Sequence, residues 1–143
     1  MYYIDTGILV AYYSPEALSE QVQTFLDSQL KPAISRLTEV ELFSAVAKKV
    51  RMGELSHADG NLILSKFLSH IESGLFTIIN PEAQHWKIAR SWISLFTTSL
   101  RTLDALHLAI ASAEDYVLVT SDQQLLRAAK TLDVKTFQIS AKS

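Results

Sequence analysis

The chain has 143 residues and a formal net charge of −2; 48% of its residues are hydrophobic and 20% are charged. These values predict one globular domain over residues 1–143 with a buried core. The absence of cysteine excludes disulfides and thiolate metal sites and fits a reducing compartment. No apolar stretch approaches the ~20 residues of a membrane-spanning helix, and no basic region precedes the apolar N-terminus. We therefore expect a cytoplasmic protein without a membrane span or signal peptide.

Short apolar runs alternate with segments of helical periodicity along the whole chain. Runs of about four residues, too short for helices, predict the strands 1–4, 32–35, 76–79, 117–120 and 136–139. The segments between them predict the helices 8–13, 15–30, 37–52, 56–75, 82–96, 103–114 and 121–132. Strands that alternate with helices are typical of a parallel sheet covered on both faces. The sequence thus predicts an α/β fold, a three-layer α/β/α sandwich with about five short parallel strands.

Local signals refine three of these helices. Ser14 and Pro15 predict the cap and first turn of the second helix. Apolar residues at helical spacing predict that the helix over 37–52 buries one stripe, formed by Val40, Phe43, Ala47 and Val50. Ser121 and Gln124 form a capping-box pattern and predict that Ser121 caps the last helix.

Acidic residues lie beside the apolar elements at widely separated points of the chain. Asp5 follows the first strand, Asp122 follows the fourth, and Asp104 begins a helix rich in small residues. Glu41 lies within two turns of the end of the second strand. Because ligands of such sheets bind at the carboxyl ends of the strands, where the strand order reverses, these acids are expected to converge there if the first and fourth strands are neighbours.

Four acids at one edge repel one another strongly unless divalent cations lie between them. Oxygen ligands without a cysteine or histidine cluster suit Mg²⁺ or Mn²⁺. The slightly negative net charge argues against bulk attraction to nucleic acid, but it leaves open an enzyme whose bound metal neutralises phosphate charge.

Each acid also has a structural interpretation. Asp5 is a possible cap of the short helix that follows it, and Glu41 is a possible member of a capping box with Thr38. Asp104 and Asp122 are acids of the kind that favour the positive ends of helices. Capping alone does not explain why three of the four acids adjoin apolar runs at strand ends or tight turns.

The ordered set of motifs resembles a known family. Asp5-Thr6, Glu41 within Leu37–Leu42, Asp104 within Leu103–Ala109 and Asp122 after Val119-Thr120-Ser121 resemble the PIN domain, and more narrowly the VapC-like toxins of type II toxin–antitoxin systems. The similarity spans nearly the whole chain, from Met1 to Phe137.

The resemblance implies a Mg²⁺- or Mn²⁺-dependent endoribonuclease whose metal site is formed by Asp5, Glu41, Asp104 and Asp122. Asp5 and Asp104 are then the main metal ligands, Glu41 is a ligand or the base for the attacking water, and Asp122 is a supporting or second-metal ligand. Thr120 or Ser121 is expected to support the site. Glu39 lies about 200° around the helix from Glu41, so only one of the two can face it.

The resemblance also implies partners: an RNA substrate, a cognate antitoxin whose tail lies over the acids, and a second copy in a homodimer. The exposed parts of the helices around Leu18–Leu30 and Leu37–Val50 are the expected antitoxin groove. Arg101 is a candidate phosphate contact, whereas His107 is expected to be a packed or rim residue. The alternatives are a PIN nuclease of RNA processing without an antitoxin, and a non-enzymatic acidic-pocket module such as a receiver domain.

Overall fold

The computed structural model describes residues 1–141; Lys142 and Ser143, the last two residues of the predicted domain, lie outside it. Its centre is a five-stranded sheet in which every pairing is parallel and the strand order is β3-β2-β1-β4-β5. The strands are β1 (Tyr2–Ile4), β2 (Ala33–Ser35), β3 (Thr77–Ile79), β4 (Val117–Thr120) and β5 (Thr136–Gln138). The predicted α/β class and parallel sheet are confirmed.

Seven helices are present within residues 1–141 and cover both faces of the sheet. They are α1 (Thr6–Tyr13), α2 (Ser19–Asp27), α3 (Arg36–Arg51), α4 (His57–Glu72), α5 (Ala83–Ile93), α6 (Thr102–Ala113) and α7 (Gln123–Thr131). One core cluster joins the sheet to α1–α4, and a second joins it to α6 and α7. Helix α5 packs against the outer side of α6. The three layers are therefore those that the alternating pattern predicts.

Neighbouring residues of one strand serve opposite layers because side chains alternate across a pleated strand. Tyr3 and Leu118 pack with α6 and α7, whereas Ile4 and Val119 pack with α1–α4. Both faces of the central strands are apolar, so β1, β2 and β4 are largely buried and their side chains fix the register.

Helix α6 is the most deeply buried helix of the described chain. Residues 105–111 are all buried, and the alanines among them allow close packing on both sides. Ala105 and Ala109 contact α5, while Leu108 and Ile110 belong to the sheet-facing cluster. This burial fixes the direction in which the N-terminus of α6 points.

The structure corrects the start of α2. The helix begins at Ser19, not at Pro15. The Ser14 N–H bonds back to the Val10 carbonyl at the end of α1, and Ser19 Oγ accepts from the Glu16 N–H and donates to the Ser14 carbonyl. These contacts form a turn that uses Ser14 to end one helix, not to cap the next.

The predicted apolar stripe of α3 is also wrong. Val40 is 71% exposed and Phe43 is on the surface, whereas Thr38, Leu42 and Val46 are buried. Thr38 is a core residue because its hydroxyl accepts the Ser35 N–H at 3.1 Å, which satisfies the polar group inside the protein. A pattern that counts only apolar residues therefore selects the solvent face of this helix.

Within residues 1–141, no helix combines the length and hydropathy needed to cross a bilayer.

We predict that Leu108→Ala destabilises the protein by about 2–5 kcal/mol, because Leu108 is fully buried in the sheet-facing cluster. Urea unfolding followed by circular dichroism measures the change. Leu103→Ala is the matched control: Leu103 lies on the same helix but is 42% exposed, so its loss should cost less than about 1 kcal/mol. Equal losses in the two variants would contradict the packing described for α6.

Candidate active site

The acidic residues meet at the carboxyl edge of the sheet, where β1 and β4 lie side by side. The pairing aligns Ile4 with Val119, and the Asp5 N–H donates to the Val119 carbonyl at 3.0 Å. β1 is the middle strand. The strand order runs outward from it to β2 and β3 on one side and to β4 and β5 on the other, so the order reverses at this point. The expected adjacency of the first and fourth strands is confirmed.

Asp5 is held by a neighbouring strand and not by the helix that it precedes. It stands at the N-cap of α1, but its side chain makes no capping hydrogen bond. Thr120 Oγ1 instead donates to Asp5 Oδ2 at 2.7 Å. Burial raises the pKa of the Asp5 carboxyl, as do Asp104 and Glu41, while Thr120 and His107 act in the opposite direction. Capping does not account for this carboxylate.

Glu41 reaches the same edge from the second turn of α3. Its Oε1 accepts from Thr6 Oγ1 at 2.8 Å and contacts Nε2 of His107. Burial raises the pKa of Glu41, but the hydrogen bonds and charge of these partners outweigh it, so the pKa lies below its usual range. Glu39 lies elsewhere on the helix and pairs with Arg36 at 2.5 Å. The structure thus brings Glu41 to the edge and leaves Glu39 outside it.

Asp104 lies in the first turn of α6, and neither of its carboxylate oxygens has a hydrogen-bond partner among residues 1–141. Desolvation raises its pKa and the charge of Asp122 raises it further, while His107 lowers it. Because the charges of Asp122 and Glu41 both raise the pKa of Asp104, these two acids lie within electrostatic range of it.

Asp122 serves partly as a helix cap. Its Oδ1 accepts from the backbone N–H groups of Gln124 and Leu125 at 2.9 and 3.2 Å, so it caps α7. The prediction that Ser121 caps this helix is wrong, because the chain turns one residue later. The Asp122 N–H donates to Thr120 Oγ1 at 3.1 Å. One threonine hydroxyl therefore connects Asp122 to Asp5.

His107 is packed inside the protein, as expected from its apolar neighbours, and it also contacts the acidic edge. It is 2% exposed, and its Nδ1 lies 2.5 Å from the Tyr3 hydroxyl while its Nε2 contacts Glu41. Its position three residues after Asp104 was a signal that the two share one helix face. The apolar neighbours Leu106 and Leu108 predicted its burial but not its contact with the site.

Three of the four acids share a pattern of hydrogen bonding. Protein donors bind one oxygen each of Asp5, Glu41 and Asp122, and the other oxygen has no partner within residues 1–141. Asp104 keeps both oxygens free. Carboxylate oxygens that are oriented by the protein but left unbonded fit a hard divalent cation in charge and donor type. Residues 1–141 nevertheless contain no three of these groups close enough to form a ready-made cluster. A cation would therefore have to draw the free oxygens together.

Few cationic side chains surround this edge. Arg101 precedes Asp104 at the N-cap of α6, is exposed and contributes to lowering the pKa of Asp104. Arg36 is engaged with Glu39 and Asn80. A cavity of about 190 Å³ between α7 and residues 97–99 is lined by Arg127 and by none of the four acids. Arg101 is therefore the arginine whose charge acts on the acidic edge.

Comparison with known proteins identifies the fold. The solved structure of FitAcB from Neisseria gonorrhoeae superposes with a TM-score of 0.76 at 24% identity, over 96% of each chain. A toxin-antitoxin complex from Klebsiella pneumoniae gives 0.71 at 17% identity, over 99% of this chain and 100% of that one. VapC20 of Mycobacterium tuberculosis, described as a sarcin-ricin loop cleaving toxin, gives 0.70 at 14% identity, over 90% and 95%. Among curated proteins, no sequence matches this one significantly.

The structural matches share this fold at low sequence identity. The family model described as PIN domain matches residues 2–131, a span that includes all four acids and every element from β1 to α7. The chain belongs to the PIN domain family.

Proposed function

We propose that this protein is a metal-dependent endoribonuclease that acts as the toxin of a type II toxin–antitoxin pair. The observation that carries the proposal is the acidic edge itself, where the protein fixes one oxygen of each of three carboxylates and leaves the other free. Proteins of the PIN family are generally nucleases. The similar structures include toxin–antitoxin assemblies and a toxin that cleaves the sarcin-ricin loop. RNA as the substrate would place the activity in the cytoplasm.

Asp5, Asp104 and Asp122 are the proposed holders of Mg²⁺ or Mn²⁺. When bound, such a cation lowers the pKa of a coordinated water and stabilises charge on the departing oxygen. Thr120 keeps Asp5 turned toward the edge, and the N-terminus of α7 does the same for Asp122. Asp104, without a protein partner, is free to adjust its position to the cation.

Glu41 is the proposed acceptor for the hydrogen of the attacking water. Its Oε1 is occupied by Thr6 and His107, so Oε2 is the oxygen available to a water molecule. The pKa of Glu41 lies below its usual range, so the side chain is ionised at neutral pH and can accept a hydrogen bond. A phosphate on the RNA would lie between these acids and Arg101.

An antitoxin is the proposed partner of the exposed face of α3. Val40 and Phe43 are exposed, and they flank Glu41 in sequence, so a protein covering them would lie beside the acids. A basic side chain of that protein would neutralise the uncompensated carboxylates. Helix α3 packs against α1 and α4, whereas α2 packs against α1. The proposed surface is therefore centred on α3, and the expected contribution of the helix around Leu18–Leu30 stays a prediction.

A second copy of the chain is the proposed partner of α5 and the turn that follows it. Trp86 and Ile93 are exposed on α5, and Phe96 is 90% exposed immediately after it. Exposed aromatic side chains at this density are typical of protein interfaces. The dimer is thus proposed through α5, and the antitoxin contact through the exposed residues Val40 and Phe43 of α3.

The nuclease proposal is tested with purified protein and a structured RNA. Cleavage should require Mg²⁺ or Mn²⁺ and stop in excess EDTA, and Glu41→Gln should lower the cleavage rate by at least about 100-fold because a neutral amide accepts the water proton poorly. Glu39→Gln is the matched control: it changes a glutamate of the same helix that pairs with Arg36 instead, and it should keep the wild-type rate. Cleavage that persists in EDTA, or equal losses in the two variants, would contradict the proposed site.

A second prediction follows from the cost of burying Asp5. Its raised pKa means that the folded state holds the proton more tightly than the unfolded state, so the ionised carboxylate destabilises the fold at neutral pH. In EDTA, Asp5→Asn should raise stability by about 1 kcal/mol, a few degrees in Tm. The gain should shrink as the pH falls from the raised pKa of the folded protein to the ordinary pKa of an aspartate in the unfolded chain, and Mg²⁺ should stabilise the wild type but not the variant. Thermal unfolding measures both; a variant less stable than wild type in EDTA would refute the prediction.

The antitoxin proposal predicts that Phe43→Glu prevents inhibition without affecting RNA cleavage by the free protein. The measurement is cleavage in the presence of the small protein encoded by an adjacent reading frame. Leu75→Glu is the control, since Leu75 is exposed at the opposite edge of the sheet, beside the residues that precede β1, β2 and β3. If no adjacent protein inhibits the wild type, the toxin role fails and a PIN nuclease without an antitoxin remains.

A further inference from the structure

We propose that His107 is a positioning residue for Glu41, with Tyr3 fixing the orientation of its ring. The inference deepens the proposed function, on which it rests, by naming what holds the water-orienting glutamate in place. It concerns the chain's own contacts, so it can be tested by readouts that do not depend on RNA cleavage.

Both ring nitrogens of His107 contact protein groups inside the fold. Nε2 contacts Glu41 Oε1, and Nδ1 lies 2.5 Å from the Tyr3 hydroxyl. The histidine is 2% exposed and Tyr3 is fully buried, so water does not compete for either nitrogen. An ionised carboxylate only accepts hydrogen bonds, so Nε2 must carry the hydrogen that faces Glu41.

The Tyr3 hydroxyl has a second hydrogen-bond partner, at the end of β2. It forms a hydrogen bond with Ser35 Oγ at 2.8 Å, and the Ser35 N–H donates to the Thr38 hydroxyl at the start of α3. The centroids of the tyrosine and histidine rings lie 5.6 Å apart at an interplanar angle of 48°, so the imidazole packs against the ring of a core residue. The chain of contacts therefore runs from the end of β2 through β1 to α6, and ends on Glu41.

His107 links two helices that supply acids, α6 and α3. His107 lies one turn after Asp104 on α6, and Glu41 lies on α3 in the opposite layer. A glutamate on a helix surface has several rotatable bonds and loses entropy when it is fixed. His107 and Thr6 both bind Oε1, so Oε2 is the oxygen left free at the acidic edge. Without His107, one donor would remain and the side chain would swing toward solvent.

A second tyrosine–histidine pair in the described chain makes the same contact but supports no carboxylate. Tyr13 and His70 make the same contact, hydroxyl to Nδ1 at 2.6 Å, with ring centroids 5.5 Å apart. His70 lies beside the cavity at the amino ends of the strands and contacts no carboxylate among the described hydrogen bonds. Loss of a tyrosine–histidine contact as such can therefore be separated from loss of the support for Glu41.

The test compares two conservative substitutions. The amide nitrogen of His107→Gln occupies the place of Nε2 and can still donate to Glu41, whereas that of His107→Asn occupies the place of Nδ1 and cannot. His70→Asn and His70→Gln are the controls in the remote pair. Circular dichroism and thermal unfolding establish that each variant is folded. The readouts are Mn²⁺ affinity by calorimetry, the nitrogen resonances of the histidine rings by NMR, and the RNA cleavage rate.

We expect His107→Asn to weaken Mn²⁺ binding, the cleavage rate or both by about 10- to 100-fold, as is usual when a group that orients a metal-site residue is lost. His107→Gln should remain within about threefold of wild type. Both His70 variants should match wild type in binding and cleavage. In the otherwise wild-type protein, Glu41→Gln should shift the His107 Nε2 resonance and leave the His70 resonances unchanged.

Two results would overturn the inference. One is a folded His107→Asn protein that equals His107→Gln in both Mn²⁺ affinity and cleavage. The other is a His107 Nε2 resonance that does not respond to Glu41→Gln. Failure of the proposed function is a different result: wild-type protein that cleaves no RNA with any divalent cation, while its His107 resonance still reports the contact with Glu41.

Discussion

The parallel pairing of β1 with β4 is the constraint on which the site depends. It brings Asp5 and Thr120, which are 115 residues apart, into hydrogen-bond contact at 2.7 Å. The same threonine hydroxyl accepts from the backbone of Asp122, so a single buried side chain connects two of the acids. Because both strands are buried on both faces, slipping their register by one residue would turn apolar side chains into the wrong layer. The geometry of the acids is thus fixed by the core.

The acidic edge is built at a cost to stability. Burial and mutual repulsion raise the pKa of both Asp5 and Asp104, which means that the folded protein disfavours their charged forms. Hydrogen bonds from Thr120, Thr6, His107 and the N-terminus of α7 offset part of this cost and orient the carboxylates. A divalent cation would offset the remainder. Carboxylates whose charged forms are disfavoured without a bound cation, and whose oxygens are oriented for a ligand, are characteristic of functional sites.

The convergence of acids at one sheet edge could be predicted from sequence where local and global signals agreed. Asp5 and Asp122 follow short apolar runs that are strands, and the pairing of β1 with β4 places both at the same edge. At Asp122 the structural interpretation is compatible with the proposed metal-binding role, since one oxygen caps α7 while the other stays free. The contacts of His107 could not be predicted, because its two partners, Tyr3 and Glu41, lie 104 and 66 residues away in the sequence, and local patterns carry no information on such contacts.

The sequence by itself determined the order of the elements, the α/β class and the identity of the four acids, because strand length, helical periodicity and strand-end charge are local properties. It did not predict the buried face of α3, where the apolar spacing assigned Val40 and Phe43 to the core. The buried face of a helix depends on what packs against it, and here a satisfied Thr38 takes the place of an apolar residue. For Asp5 and Glu41, only the tertiary structure decided which oxygen is bound and which is free, because the donors Thr120, Thr6 and His107 lie on other strands and helices.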